Sequence, residues 1–288
     1  MTRFFSVRRC FVAAALVGLV GSVGAESPLQ EILRSALPHG RADALSTPSG
    51  CSTAVFAEGQ MPRLTVPALA RDTTKLCSSF FTVLYSGVTR TSLYSAERLT
   101  TASVELSRAQ VRKNRFHADS RLAYGLGPQL ADYKGSGFDR GHLSPNGDMP
   151  NPVSQDESFA LTNMIPQNSE NNRGIWSMIE MSTREMAHRA GEAFVVTGPA
   201  YLGDSVRIGN VAVPSVIWKA VYFPKNGSLG PSASAWITRN EPGDGFEVVS
   251  ITELTRRVGV DPFPGVSSAV KDARVTFLPP LSRRSRSN

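Results

Sequence analysis

The chain contains few cysteines, few histidines and few charged residues, and these shortages exclude several classes of protein. Of its 288 residues, 3 are Cys and 4 are His, while Asp, Glu, Lys and Arg together make up 19%. A charged fraction this low, beside 41% hydrophobic residues, excludes intrinsic disorder as the general description. Glycine and proline follow no period and heptad repeats are lacking, which excludes collagen-like and coiled-coil proteins. One large or two small globular domains with a substantial core remain.

Several chemical signatures are missing as well. The sequence has no G-x-S-x-G pattern for a nucleophilic serine, no phosphate-binding P-loop and no C-x-x-C pair. Clusters of Cys, His and carboxylates with the spacing of zinc ligands are also absent. The sequence therefore gives no sign of a nucleophilic serine or of a zinc site.

The first 25 residues have the layout of a secretory signal peptide. Three arginines and no acidic residue precede the apolar block Phe11–Val20, and the small residues Val23–Ala25 follow it. The block is short for a transmembrane helix, and Arg8-Arg9 resembles a twin-arginine export signal. An uncleaved anchor and a mitochondrial presequence are the alternatives, but the apolar block is continuous rather than amphipathic. We expect a periplasmic or secreted protein with no stable membrane association after signal cleavage.

Without this segment, the chain is less basic and keeps two cysteines. The formal net charge of +7 falls to about +4 without the three signal arginines, so a basic binding surface would have to be local. Arg108–Arg121 is the candidate, although such a run is more often a solvated face. The remaining cysteines, Cys51 and Cys77, are expected to form a disulfide rather than a metal or redox site. Closing that loop would contribute roughly 3 kcal/mol.

The rest of the chain divides into three parts. Residues 26–72 are rich in Pro, Ser, Gly and Ala and predict an irregular lead-in with one short helix at Leu29–Leu37. Residues 73–280 form the main domain, and residues 281–288 form an arginine-rich tail. Mixed strands and helices without regular βαβ alternation predict an α+β fold.

Local patterns within the main domain predict individual elements. Two β-rich runs flank the turn-like Ser86-Gly87 and predict a hairpin, and helices are predicted after capping residues and before a terminal glycine. The predicted strands are Phe80–Tyr85, Thr91–Ala96, Ala193–Thr197, Val213–Phe223 and Ser234–Thr238. One predicted helix runs from Asn168 or Ser169 to about Arg189 and ends before Gly191. A second predicted helix begins at the capping box Ser250–Glu253.

Three short motifs carry the candidate chemistry: Asp139–His142, Asn163–Gln167 and Asn172–Glu180. On a regular helix Asn172, Trp176 and Glu180 would share one stripe, while Ile175, Ile179 and Met186 would face the core. Trp176 as simple packing, with Asn172 and Glu180 in solvent, is the alternative. Asn is a poor choice in mid-helix unless its amide binds something.

The spacing of the two polar residues limits the metal they could serve. Eight helical residues rise about 12 Å, so Asn172 and Glu180 cannot both readily bind one ion directly. If the carbonyl oxygen of Asn172 is the ligand, Glu180 would instead hold a metal-bound water. A single neutral oxygen leaves a hard cation mostly hydrated, which suits Mg²⁺, with Mn²⁺ as the alternative.

His142 and Arg140 supply the remaining groups that phosphodiester cleavage needs. A neutral imidazole is available near pH 7 to activate water, and the adjacent guanidinium can pair with phosphate oxygens. The cation would stabilise the developing charge and provide the proton for the leaving oxygen through a bound water.

The motifs together resemble the DNA/RNA non-specific endonuclease family, which includes mitochondrial endonuclease G and secreted bacterial nucleases. The resemblance lies in Phe138 through His142, in Asn163 with Pro166-Gln167, and in Asn172 through Trp176 to Glu180. Their mutual spacing matches too, and a weaker likeness extends from about Leu76 to Gly198-Pro199. The resemblance implies a ββα-metal fold, with a mainly antiparallel central sheet flanked by helices.

The same resemblance implies roles for particular residues. His142 would be the general base, Asn172 the direct Mg²⁺ ligand, and Glu180 a support for the water shell of the metal. Arg140 and Asn163 would bind or stabilise the phosphate, and Arg115 would be a second phosphate arginine. DNA and RNA would be the partners. Contacts to the backbone carry no base sequence, and no feature of the sequence identifies a contact at the 2′-hydroxyl that would discriminate RNA from DNA.

Other functions remain open at this point. The chain could be a DNA-restricted nuclease or an exported nuclease toxin, which a comparison of substrates or an immunity partner would reveal. A non-catalytic nucleic-acid-binding protein of the same fold is the rival from another class. A structural envelope protein would need the register of the three motifs to be accidental.

Overall fold

The computed structural model describes residues 51–203 and 206–273. The predicted signal segment, the helix at Leu29–Leu37 and the arginine-rich tail lie outside these residues. Within them, no helix is both long enough and apolar enough to cross a membrane.

Seven antiparallel strands form the central sheet of the molecule. Their order across the sheet is β12 (Glu247–Val249), β11 (Ser232–Arg239), β10 (Val216–Phe223), β7 (Glu192–Ala200), β4 (Thr91–Thr100), β3 (Phe81–Ser86) and β2 (Thr73–Cys77). The hairpin predicted around Ser86-Gly87 is present as β3 and β4, and the later strand predictions fall on β7, β10 and β11. The other strands of the described residues are β1 Arg63–Leu64, β5 Phe138–His142, β6 Met164–Asn168, β8 Arg207–Ile208, β9 Val211–Ala212 and β13 Val260–Asp261.

Helices cover the sheet and begin at the capping residues that the sequence supplies. The Asn168 side chain accepts from the backbone of Glu170 and Asn171, and Ser250 accepts from the Glu253 amide. Gly191, with φ of 90°, follows the last residue of the long helix. The helices are α1 Thr101–Arg108, α2 Leu130–Tyr133, α3 Pro152–Ser158, α4 Ser169–Asn171, a π-helical turn at Asn172–Trp176, α5 Ser177–Ala190, α6 Ile251–Val258 and α7 Ser268–Asp272.

Alternation along the strands gives the sheet two buried faces. Trp218 of β10 packs on one face with Ile251 and Leu254 of α6. Its neighbour Ile217 points to the other face, where Ile179 of α5 packs. Because both faces are covered by helices, the central strands are buried on both sides.

A smaller ββα unit lies on the α5 side. Strands β5 and β6 pair antiparallel, with Gly141 opposite Ile165 and His142 opposite Met164. The chain then passes directly from β6 into α4, the π turn and α5. The predicted α+β fold with a mainly antiparallel sheet is confirmed, and the ββα unit carries the predicted motifs.

Residues 51–72, within the predicted irregular lead-in, are short in regular structure yet packed against the domain. Phe56 and Leu69 are buried in the α6-side core, and β1 pairs with β13. Cys51 and Cys77 form a disulfide with Cα atoms 5.6 Å apart, as expected from their being the last two cysteines. This part of the segment is therefore tied to the main domain by the pairing of β1, by burial and by a covalent bond.

Candidate active site

A cleft of about 920 Å³ opens beside the ββα unit. It is bounded by the segment before β5, by β5 itself and by the first turns of α5. Four of the six predicted site residues line it, and these bring together an imidazole, an amide, a carboxylate and a guanidinium. The cleft is lined by Gln110, Arg112, Asn114, Phe116, Tyr133, Phe138, Asp139, Arg140, His142, Pro145, Asn146, Gly147, Asn172, Arg173, Ser177, Glu180 and Arg184.

His142 is the last residue of β5 and is 8% exposed. Its ring lies edge-on to Phe159 at 5.2 Å and tilted against Phe116 at 5.9 Å. Its Nε2 atom is buried without a hydrogen-bond partner among the described residues. Burial, followed by the positive charge of Arg112, lowers the pKa of His142 to about 3. The imidazole is therefore neutral in the free protein at physiological pH.

The same aromatic residues hold two arginines at the cleft. The Cζ atom of Arg140 lies 4.3 Å from the centre of the Phe116 ring, and that of Arg112 lies 5.5 Å from the Phe159 ring. Neither guanidinium forms an ion pair with a described carboxylate. The buried Nε atom of Arg140 also has no hydrogen-bond partner among the described residues. Two unneutralised cations next to a neutral base favour an anionic ligand.

The π turn corrects the prediction that Asn172, Trp176 and Glu180 share one stripe. Trp176 is fully buried in the α5-side core, whereas Asn172 and Glu180 line the cleft. Gly174 has non-helical dihedrals of −98° and −109°. This wider turn shifts the helical register, so the alternative interpretation of Trp176 as packing is the correct one. The prediction assumed 3.6 residues per turn throughout, whereas the helix widens at Asn172–Trp176.

Asp139 fixes the orientation of the Asn172 side chain. Its Oδ2 accepts from Asn172 Nδ2 at 2.9 Å, and both its oxygens accept from the Arg173 guanidinium at 2.8 and 2.9 Å. Ser169 donates a further hydrogen bond to Oδ1. Partial burial opposes ionisation, but these hydrogen bonds outweigh it and lower the pKa of Asp139. With its amide nitrogen engaged, Asn172 keeps its carbonyl oxygen as the free acceptor.

Glu180 lines the cleft and interacts electrostatically with a buried acid, Glu97. Burial raises the pKa of Glu180 to about 7, although Lys219 and Arg184 oppose the shift. Glu97 on β4 is buried, and burial together with the nearby charges of Asp148 and Glu180 raises its pKa well above the ordinary value. Lys219 on β10 is fully buried and donates to Thr197 at 2.6 Å. Glu97 and Lys219 are thus buried ionisable groups that act electrostatically on Glu180, and groups of this kind cluster at functional sites.

Asn163 does not lie in the cleft. It is fully buried, with Oδ1 accepting from the Ser144 amide at 3.0 Å and Nδ2 donating to the carbonyls of Ser144 and Ser158 at 2.9 Å. Its amide is therefore occupied within the protein and braces the segment that follows His142. The expected contact between Asn163 and phosphate is not supported by this geometry, because none of its polar atoms reaches the cleft.

Arg115 also lies outside the cleft lining. Its Nε atom is 3.5 Å from Asp156, and its side chain is 71% exposed. The arginine that this segment places in the cleft is Arg112, three residues earlier. Sequence reasoning identified the basic run but not which of its members faces inward. It also missed Arg184, whose position i+4 to Glu180 on a helix was the available signal.

The donor set of the cleft fits a hard, hydrated cation. Among the described residues, no group of three or more His, Cys, Asp and Glu could hold a metal ion. That excludes a zinc-type cage there and leaves the free amide oxygen of Asn172 together with the carboxylate of Glu180. Mg²⁺ is commonly bound by few protein oxygens, since it retains water and substrate phosphates in its shell.

Comparison with known proteins identifies the family. The model of the DNA/RNA non-specific endonuclease family matches residues 60–269. The chain belongs to this family. It is a family of metal-dependent nucleases, which agrees with the cleft described above.

Individual relatives give the same result. The mitochondrial nuclease EXOG of Homo sapiens is 29% identical over 275 residues, covering 88% of this chain and 72% of that protein. Mitochondrial Nuclease 1 of Schizosaccharomyces pombe is 32% identical over 171 residues, covering 54% of this chain and 53% of that protein. The chain thus spans only about half the length of several curated relatives that it matches. A solved structure of the EndoG/EndoGI complex matches with a TM-score of 0.59 and 26% identity, covering 66% of this chain and 86% of that chain.

These comparisons overturn the expected location. Six of the matching relatives are named as mitochondrial nucleases or endonucleases, while a nuclease of the cyanobacterium Nostoc also matches. The prediction of a periplasmic or secreted protein is therefore wrong on this evidence. It depended on an N-terminal segment outside the described residues, whose arginine-rich, acid-free composition also allowed a mitochondrial presequence.

Proposed function

We propose that this protein is a metal-dependent endonuclease that hydrolyses phosphodiester bonds of both DNA and RNA. The observation that carries the proposal is the shared cleft: His142, from the end of a strand, and Asn172, from the helix that follows the next strand, line one cavity. The unneutralised arginines of that cavity supply the affinity for a phosphate. Contacts of this kind carry no base sequence, and no described group distinguishes a 2′-hydroxyl.

His142 would act as the general base. It is neutral in the free protein, so it can accept a proton from water. Its low pKa partly reflects the positive charge of Arg112, and a bound phosphate would offset that charge. Substrate binding would therefore raise the pKa of His142 toward the range in which a base is most effective. The aromatic contacts with Phe116 and Phe159 keep the ring in place while its charge changes.

Arg140 and Arg112 would bind the phosphate that is attacked. Both are planar donors that match phosphate oxygens in fork geometry, and both rest on aromatic rings. Their attraction for the substrate grows as charge develops on the phosphate, which stabilises the transition state more than the ground state.

Asn172 would hold the cation through its carbonyl oxygen, and Glu180 would accept hydrogen bonds from the water shell of that cation. Mg²⁺ is the proposed ion, with Mn²⁺ as an alternative, because the cleft offers oxygen donors only in small number. When bound, such an ion stabilises negative charge on the phosphate and lowers the pKa of its waters. Asp139 would contribute by keeping the Asn172 oxygen directed away from itself.

The test is a plasmid-nicking assay with the purified protein in Mg²⁺ and in EDTA, repeated with single-stranded DNA and with RNA. We expect cleavage of all three substrates that requires the metal, and we expect His142→Ala to abolish it while still binding DNA. His142→Ala that still turns over at neutral pH would contradict the assigned base, and wild-type protein without Mg²⁺-dependent nicking would contradict the function itself.

Substitutions at the two metal-side residues test their separate roles. Asn172→Ala should remove Mg²⁺-dependent activity. Glu180→Ala should reduce this activity less, because the Glu180 carboxylate would contact only the water shell of the cation. A more severe loss in Glu180→Ala than in Asn172→Ala would reverse this assignment.

A further inference from the structure

Residues 110–116 form a ridge between the active-site cleft and a second, smaller groove. The ridge has no regular hydrogen-bonded structure, but its side chains alternate. Arg112, Asn114 and Phe116 line the cleft, whereas Val111, Lys113 and Arg115 line a groove of about 280 Å³ on the other side. Alternation of this kind is typical of an extended chain, whose successive side chains point to opposite faces. The ridge therefore presents cations on both of its sides.

The ridge is fixed through atoms that leave these cations free. Gln110 donates its side-chain amide to the Pro150 carbonyl at 3.1 Å, and the Lys113 backbone amide donates to Gln155 Oε1 at 3.0 Å. At its end, His117 makes a parallel bridge with Ala160. These contacts tie the ridge to α3 and to the residues on either side of that helix. Its position is therefore set without using the charged ends of Lys113 and Arg115.

Charge on the outer side of the ridge is only partly neutralised. Lys113 is exposed and has no described carboxylate within ion-pair distance, and Arg115 makes a single contact of 3.5 Å with Asp156. The nearby Arg108 and Arg189, by contrast, pair with Glu185 at 3.1 and 2.8 Å. The outer groove thus keeps an excess of positive charge next to the cleft.

We propose that Lys113 and Arg115 form an outer phosphate-binding site, across which the nucleic-acid strand continues after it leaves the cleft. This inference rests on the proposed function, because it takes the strand in the cleft as given. From Arg112 to Arg115 an extended chain spans about 10 Å, whereas a nucleic-acid strand carries one phosphate per about 3.4 Å of helix axis. The cations on the two sides of the ridge can therefore contact phosphates of one strand that lie about three nucleotides apart. Asp156 opposes the strand by competing for Arg115.

The test compares a long and a short ligand in EDTA, so that binding is measured without cleavage. The probes are a fluorescent DNA single strand of about 20 nucleotides and a dinucleotide, which is too short to reach from the cleft over the ridge. The variant is Lys113→Gln/Arg115→Gln. The matched control is Lys225→Gln/Arg256→Gln, which removes two exposed cations from segments that line neither the cleft nor the outer groove.

For the long strand, we expect the ridge variant to reduce the slope of log affinity against log salt by about 1.4, corresponding to two lost phosphate contacts. Its affinity for the dinucleotide should stay within about twofold of wild type, since only the outer site is changed. The control should retain the wild-type slope, and Asp156→Asn should strengthen binding of the long strand. Circular dichroism spectra and melting temperatures of all variants check that they are folded.

Two results would overturn the outer site: a ridge variant that binds the long strand with the wild-type slope, or a control that loses as much as the ridge variant. A failure of the proposed function gives a different result. In that case the wild type would bind DNA in EDTA but would not nick plasmid in Mg²⁺, and the contribution of the ridge to binding would still be measured.

Discussion

Replacing Asp139 by asparagine should weaken metal binding without touching any residue proposed to contact the metal. The Asp139 carboxylate can only accept hydrogen bonds, so it holds the amide nitrogen of Asn172 at 2.9 Å and leaves the oxygen free. An amide at position 139 can also donate. Asn172 could then turn over and present its nitrogen, which repels a cation, to the cleft. Asp139→Asn therefore removes the constraint on orientation while preserving the shape of the side chain.

The size of this effect can be bounded. Removing a partner that orients a metal ligand typically costs a factor of 10–100 in metal affinity, or about 1.4–2.7 kcal/mol. Arg173→Ala is the matched control, because Arg173 shares the same carboxylate at 2.8 and 2.9 Å but does not contact the Asn172 amide in any described hydrogen bond. Since the Asp139–Asn172 contact survives in that variant, we expect its metal affinity to change by less than about threefold.

The assay is titration calorimetry with Mg²⁺, supported by the electron spin resonance of bound Mn²⁺. Both report binding rather than turnover, so a fault in the chemical step does not disturb them. The reasoning is refuted if Asp139→Asn binds Mg²⁺ as wild type does, or if Arg173→Ala loses as much affinity as Asp139→Asn.

Three further predictions follow from the same region. Gly141→Ala should destabilise the protein by about 1–3 kcal/mol in urea unfolding, because its Cβ would lie 2.0 Å from Gln167 Oε1 and 2.7 Å from Gln167 Cβ; an unchanged unfolding midpoint would contradict this. Burial raises the pKa of Glu97 well above its ordinary value of 4.5, so Glu97 contributes stability at low pH that is lost as the pH rises through the folded-state value. The stability of Glu97→Gln relative to wild type should therefore increase with pH above about 4.5 in parallel denaturation series, and a constant difference would exclude this charge effect. Burial also raises the pKa of Glu180 to about 7, so Mg²⁺ affinity should fall by up to about tenfold per unit as the pH drops below that value, and calorimetry should find this dependence missing in Glu180→Gln.

The sequence predicts local elements of this fold better than it predicts their assembly. β-rich residues around Ser86-Gly87 predict the hairpin, because turn chemistry and strand propensity act over a few neighbouring positions. The pairing of β4 with β7, which joins residues about one hundred positions apart, depends on packing across the whole sheet. Such contacts are not encoded in any short pattern, so the strand order is learned only from the structure.

The candidate site, like the fold, could be predicted only in part from the sequence. His142 and Asn172 were predicted from motif spacing, and the structure places both at the cleft. Arg115 was predicted at the cleft, but the structure places Arg112 there. An extended segment presents alternate residues to opposite sides, and its phase is set by distant tethers such as Gln155. The role of Asn163 was equally inaccessible, since an amide that braces a loop and one that binds phosphate look alike in sequence.

The widened turn at Asn172–Trp176 makes the placement of Glu180 and Arg184 depend on the number of residues in the turn. Each residue of an α-helix rotates the chain by about 100°, so deleting one position within the turn would swing Glu180 and Arg184 out of the cavity together. Single-residue insertions and deletions between Asn172 and Ser177 should therefore abolish activity even where the protein still folds.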